Sequence, residues 1–248
     1  MERSLTNYLK IKPINNDDNM EYKIIGNSMQ ALNIKLDEGE MIYSDSGKLL
    51  SKSSNIVMSP KLFGGVISAI ERKMTGATAM LTEFKAVDSS GSISVSGVMP
   101  GKIKEISLDE GEEFIAEKYA FIAAQESVKF TIQTVGIGAA FFGGTGLILQ
   151  KFVGPGSVFI HVTGDILEYD LDGTLPLEVD PGHIAGFDAT LSYKIRFVDN
   201  IKTAMFGGVG LFLATFTGKG RVILHSVSRY KLSSEIFKEG EEERILKR

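Results

Sequence analysis

Short runs rich in Val, Ile, Phe and Thr recur along this chain, and glycine-bearing turns separate them about every dozen residues. Runs of that length and composition predict β-strands, and their even spacing predicts a sandwich or barrel. Two of them, "GSVFIHV" from Gly156 and "GRVILHS" from Gly220, are apolar on both alternating faces. Such strands need cover on two sides, from sheets or from a neighbouring subunit. The segment "KIKEISLDEGEEFIAEKYAFIAAQ" instead sets Ile103, Ile106 and Leu108 against charged neighbours, which predicts half-exposed strands. Helix is expected in two places: a short amphipathic insertion within Lys61 to Lys73, and the charged tail Ser233 to Arg248.

The pattern repeats. "LDEGE" occurs at Leu36 to Glu40 and again at Leu108 to Glu112, and "VDPGH" at Val179 to His183 has a similar shape. Farther on, Phe142 to Val162 matches Phe206 to Ser226 without a gap, so Phe152 answers Phe216, Gly156 answers Gly220, and His161 answers His225. The first copy is more worn: Gly76 and Phe84 keep the spacing of Gly144 and Phe152, and the insertion from Lys61 to Lys73 has no counterpart. A repeated unit changes the meaning of each local motif inside it. The expected organisation is a flexible extension over residues 1–19, one β domain over 20–229 built from units 20–100, 101–172 and 173–229, and a charged tail over 230–248.

The glycine-rich stretch Thr203 to Phe216 accordingly reads as a repeated turn. It lacks the third glycine and the following helix of a dinucleotide fingerprint, and no Gly-Lys-Ser/Thr follows for a phosphate loop. The longest apolar run, Thr134 to Leu149, is 16 residues and interrupted by glycines, whereas a membrane helix needs about 20 apolar residues.

Composition narrows the remaining classes. The chain has 248 residues, 43% hydrophobic and 23% charged, enough apolar content to fold. Its formal charge of -4 gives no broad positive field for nucleic acid, which is not expected as a partner. With no cysteine, disulfide frameworks, thiolate metal sites and cysteine nucleophiles are excluded. No secretory signal is evident at the start, and a cytoplasmic setting is expected.

Candidate chemistry is sparse. His161 and His225 could share a metal, but their third counterpart is Ser96 and His183 lies elsewhere in the unit, so hydrogen-bonded histidines at strand ends are the expectation. Asp37, Asp109 and Asp180 could be read as acid–base carboxylates, but Asp two residues before Gly is also what a reverse turn prefers. Phe141, Phe142, Phe206 and Phe212 sit in apolar runs and are expected to be buried rather than to stack bases. The insertion is the best surface candidate: Phe63, Val66, Ile67 and Ile70 beside Arg72 and Lys73 could dock on a protein partner or a peripheral membrane surface. Neither a catalytic set nor a cofactor site is identified.

The ordered series "EYKIIG", "LDEGE", "FGGTGLIL", "GPGSVFIHVTGDI", "VDPGHIAGFDATLSYKI" and "FGGVGLFLATFTGKGRVILHS" resembles the mitochondrial-biogenesis family named for altered inheritance of mitochondria. The resemblance spans roughly Met20 to Arg229. It implies an all-β fold of three degenerate β-sandwich or double-stranded β-helix-like repeats, similar to the trp RNA-binding attenuation protein, and a non-enzymatic role. The expectation is a scaffold or interaction module without a cofactor, assembled as a homo-oligomer. The alternative is an RNA- or small-ligand-binding protein with its site between repeats or subunits.

Overall fold

The computed structural model describes residues 20–62, 80–135, 147–197 and 212–236, and within them the chain is almost wholly extended. The first strands are β1 (Tyr22–Ile25), β2 (Ala31–Leu36), β3 (Met41–Asp45), β4 (Leu49–Lys52), β5 (Ile56–Leu62), β6 (Met80–Ala86) and β7 (Gly91–Ser96). Next come β8 (Gly101–Leu108), β9 (Glu113–Glu117), β10 (Phe121–Gln125), β11 (Lys129–Val135), β12 (Leu147–Val153) and β13 (Gly156–Thr163). The last are β14 (Ile166–Asp172), β15 (Leu177–Val179), β16 (Ile184–Asp188), β17 (Ser192–Phe197), β18 (Phe212–Thr217) and β19 (Lys219–His225). A 3-10 turn covers Pro181–His183, and residues 229–236 are helical.

These strands form four antiparallel sheets. Sheet I has the order β1-β2-β7-β4, sheet II β5-β6-β3-β10-β13-β8, sheet III β11-β12-β9-β16-β19-β14, and sheet IV β15-β18-β17. Sheets II and III share one wiring: each strand of II has its counterpart in III six strands later in the chain. The register agrees. Phe84 lies opposite Ile42 in sheet II, Phe152 opposite Phe114 in sheet III, and Phe216 opposite Leu177 in sheet IV. An irregularity also recurs between Leu49 and Ser51, between Phe121 and Ala123, and between Ile184 and Gly186. A β-bulge kept at one position in three sheets is a built feature, because it bends the strand and re-aims its neighbours.

Three apolar cores separate the four sheets. Leu32, Ile34 and Ile93 of sheet I pack with Ile42, Phe84 and Phe159 of sheet II. Tyr43, Phe121 and Val158 of sheet II pack with Phe114, Phe152 and Ile223 of sheet III. Phe187 and Val222 of sheet III pack with Ala214 and Phe216 of sheet IV. Sheet II is therefore covered on both faces, which is why β13 is buried from Ser157 to Thr163. At the open margin of sheet II, β8 alternates between buried and partly exposed positions, as its sequence predicts.

One matching of motifs is corrected by the register. Leu36 faces Gly91, Leu108 faces Gly156, and Leu171 faces Gly220, so the counterpart of the two "LDEGE" turns is Leu171-Asp172-Gly173, not "VDPGH". Gly39, Gly111 and Gly173 have φ of 88°, 80° and 88°, the left-handed conformation that glycine accepts without strain. "VDPGH" instead forms the 3-10 turn entering β16. Strand β14 occupies in sheet III the place of β8 in sheet II, so it groups with the strands after it.

Candidate functional site at the strand corners

Three tight corners hold several ionisable side chains, of which Lys48 is buried. They are the β3–β4 turn with Asp45 and Lys48, the β9–β10 turn with Glu117, Lys118 and Tyr119, and the β15–β16 turn with Asp180 and His183. Each begins on an acidic residue that accepts a nearby backbone N–H. Glu117 Oε2 accepts from Tyr119 N at 2.9 Å and Asp180 Oδ1 from Gly182 N at 2.9 Å, while Asp45 bonds the backbone of Ser46. These are the Asx-type bonds that close turns.

The ends of β7, β13 and β19 meet these corners through Ser96, His161 and His225. Ser96 N donates to Lys48 O at 2.9 Å, and His161 N donates to Ala120 O at 2.6 Å. The His161 ring is buried against Gly97 and Gly101, where an added Cβ would collide with it, and it hydrogen-bonds the backbone of Met99. Desolvation, followed by Lys48 and Arg229, depresses its pKa to about 4. His225 Nδ1 accepts from Thr163 N at 2.9 Å, and its own carbonyl bonds His183 Nδ1 at 2.8 Å. Burial, then His161, Arg229 and His183, lower the His225 pKa to about 3. Both rings are neutral near pH 7.

The bond to Thr163 N fixes the tautomer. Because Nδ1 of His225 accepts, its proton resides on Nε2, which is buried and has no hydrogen-bond partner among the described residues. A protonated ring nitrogen offers no lone pair to a metal. The same residues contain no group of three His, Cys, Asp or Glu side chains placed to hold one. His161 and His225 are thus near enough to interact electrostatically but do not converge as ligands.

Lysine 48 is the least expected member. Its side chain is only 3% exposed, with Asp45 Oδ2 at 3.9 Å, and desolvation lowers its pKa. Glu117 is pushed in the opposite sense, up to about 7, mainly by burial and against the pull of Arg229, Lys118 and Lys48. Arg229, at the start of the C-terminal helix, lies 4.5 Å from the centroid of the Tyr119 ring, a cation–π contact that ties the helix to the β9–β10 corner. Sequence reasoning missed Lys48, Glu117 and Arg229. The usable signal was the acid heading each turn, Asp45, Glu117 and Asp180, and the spurious match of "VDPGH" to "LDEGE" concealed it.

The other candidates resolve more simply. Asp37 and Asp109 serve turns: the N–H of each donates to Glu40 Oε2 at 2.7 Å and to Glu112 Oε2 at 2.9 Å. Phe212 is partly buried in the core between sheets III and IV. A surface groove of about 420 Å³ beside the β8–β9 turn includes Glu112, Glu113, Asp188 and Arg221, but Arg221 is already committed to Asp188 by three bonds of 2.8–3.0 Å. Phe63, Val66, Ile67, Ile70, Arg72 and Lys73, with Phe141, Phe142 and Phe206, lie outside the described residues. No helix among the described residues is long and apolar enough to cross a membrane.

Stacked antiparallel sheets joined by short polar corners place the chain in an all-β class of proteins. Within that class, the family model for mitochondrial biogenesis AIM24 matches residues 22–227, and the chain belongs to this family. An uncharacterised protein from Streptococcus pyogenes serotype M6 is 26% identical over 220 residues, covering 85% of this chain and 88% of the relative. The crystal structure of another Streptococcus pyogenes protein superposes with a TM-score of 0.74 at 23% identity, covering 89% of this chain and all of that one, and it shares the fold.

Proposed function

We propose that the protein is a non-catalytic scaffold, a rigid β body of three related units whose accessible strand edges recruit other chains. The units are β2–β7, β8–β13 and β14–β19. The observation that carries this reading is the contrast between spent chemistry and open backbone. The ionisable groups at the corners hold turns and strand ends in place, whereas β4 and β15 end their sheets with one side unpaired among the described residues. An unpaired strand edge presents a row of N–H and C=O groups that another chain can complete.

The test is particle size in dilute extract of cells making the full chain at native level, read by native sedimentation. A scaffold sediments well above the mass of one 27.0 kDa chain. Sedimentation as a lone chain at cellular concentration would overturn the reading. One observation favours small-ligand binding instead: His225 Nε2 and Thr163 Oγ1, on two residues joined by the bond from Thr163 N to His225 Nδ1, are buried polar atoms without hydrogen-bond partners among the described residues, as at a site that takes a ligand or water.

A further inference from the structure

We propose that the converging corners form a binding site for a small oxyanion, a phosphate or carboxylate group, held by Arg229, Lys48 and His225. The site lies apart from the strand edges that carry the scaffold reading, so either can hold without the other. Its basis is an imbalance of hydrogen-bonding partners. The acids of the three corners are spent: Glu117 accepts from Tyr119 N, Asp180 accepts from Gly182 N and pairs with Lys231 Nζ at 2.9 Å, and Asp45 bonds the backbone of Ser46. The donors beside them are not.

His225 Nε2 carries a proton, as the bond from Thr163 N to Nδ1 requires, and it has no acceptor among the described residues. The residue is 4% exposed, and a donor buried without an acceptor is costly. The Lys48 side chain is buried too, yet its ion pair with Asp45 Oδ2, at 3.9 Å, is longer than a hydrogen bond. Arg229 makes no hydrogen bond or ion pair among the described residues, and its guanidinium rests 4.5 Å from the centroid of the Tyr119 ring. Thr163 Oγ1, on the residue bonded to His225, is likewise buried without a partner among them.

Arg229 links these donors. Its charge acts on Lys48, His161 and His225, lowering the pKa of each, and on Glu117 as well. A group that satisfies such a set must accept several hydrogen bonds and carry negative charge, which describes an oxyanion and excludes a metal cation. The planar fork of an arginine matches two oxygens of that group, and a lysine adds a point charge. Two acids stand against it, Asp45 and Glu117. Burial raises the pKa of both, Glu117 to about 7, so Glu117 can take up a proton instead of repelling an anion. Tyr119 is exposed and Arg229 partly so, which opens the cluster to solvent on their side.

Nuclear magnetic resonance of the histidine ring nitrogens in the full chain tests this at neutral pH and fixed ionic strength. The sequence has 3 histidines, and His225 is identified by the signal lost in His225→Asn, which keeps an acceptor for Thr163 N. Inorganic phosphate or acetate is expected to shift the His225 Nε2 signal to saturation, with chloride far weaker, and the tighter of the two oxyanions gives the class. Arg229→Gln should weaken that binding at least ten-fold, and Lys48→Met should do the same. Because replacing buried Lys48 could disturb its corner, Arg229→Gln, at a partly exposed position, decides. Lys23→Gln, on β1, should bind as wild type does. A His225 signal that neither oxyanion moves, or that chloride moves as strongly, would mean that water fills the gap and would overturn the site. Arg229→Gln that binds as tightly as wild type would overturn it too, as would an equal loss in Lys23→Gln, which would leave only attraction to net charge.

Discussion

Strands β10 and β4 hold the same place in two sheets and live in opposite environments. They lie beside β13 and β7, respectively, and both carry the bulge. Yet β10 is buried from Phe121 to Ala124, whereas β4 is exposed from Leu50 to Lys52. Their leading residues, Phe-Ile and Leu-Leu, are similarly apolar. The difference comes from the neighbour: β10 has β3 on its far side and sheet III over one face, whereas β4 has no strand on its far side among the described residues. Burial here follows position in the stack of sheets more closely than local hydrophobicity.

Acidification should give an effect as large as a core truncation, and it separates the inner sheets from sheet I. His161 and His225 occupy in sheets II and III the position that Ser96 holds in sheet I. Their folded pKa values, about 4 and about 3, lie below the unfolded value, so folding favours the neutral rings. The associated stability is complete above about pH 6.5 and is lost as pH falls toward 4 and then 3, by at most about 1.4 kcal/mol per unit for each histidine. Glu117 acts with the opposite sign: raised to about 7, it contributes stability that is complete below its unfolded pKa and is lost as pH rises through 7. The wild-type profile should therefore be blunted. Glu117→Gln, which keeps an acceptor for Tyr119 N, should expose the histidine limb as a loss of about 2–4 kcal/mol between pH 7 and pH 5. Urea unfolding across that range measures it, and a flat profile in the variant would show that these rings titrate normally.

Substitution at the shared bulge tests the contrast directly. Ile122→Ala should cost about 2–5 kcal/mol, the range for large-to-small changes in a packed core, while Leu50→Ala should stay within about 0.5 kcal/mol in a dilute sample. Comparable losses from the two would mean that β4 is covered in solution. A smaller change isolates one hydrogen bond from β3 to the turn that leads into β11. Tyr43 OH donates to Val128 O at 2.9 Å in a buried setting, so Tyr43→Phe should cost about 1–2 kcal/mol by stranding that carbonyl. A change near zero would indicate that water replaces the hydroxyl.

The class of fold was readable because it rests on local signals: strand-length apolar runs, turn glycines, and phenylalanines at matching places. Phe84, Phe152 and Phe216 are all buried and lie in corresponding registers. The double cover of β13 was readable too, since "GSVFIHV" leaves no polar face. The exchange of strand halves between sheets was not, because pairs such as β3 with β10 join distant segments that carry no mark of each other. The corner cluster was hidden for a related reason. Lys48, Glu117 and Arg229 sit in separate turns and a helix start, where a charge ordinarily signals solvent, and only the convergence of the turns buries Lys48.

The smallest effect lies where the inner sheets touch at their margins. Lys104 on β8 of sheet II donates to Glu168 on β14 of sheet III at 2.8 Å, with both side chains partly exposed. An ion pair in that setting gains little over hydration and loses side-chain freedom, so Glu168→Gln should cost no more than about 1 kcal/mol. Screening provides the sharper reading, since the Debye length contracts to about 3 Å at 1 M salt. The difference between wild type and variant, measured by urea midpoint, should shrink as sodium chloride rises from low concentration to 1 M. A difference that persists in salt would mean that Glu168 acts through packing or through a hydrogen bond shielded from solvent. Sheets II and III would then be locked at their margins as well as through the core they share, and the rigidity of the inner pair would extend to its edge.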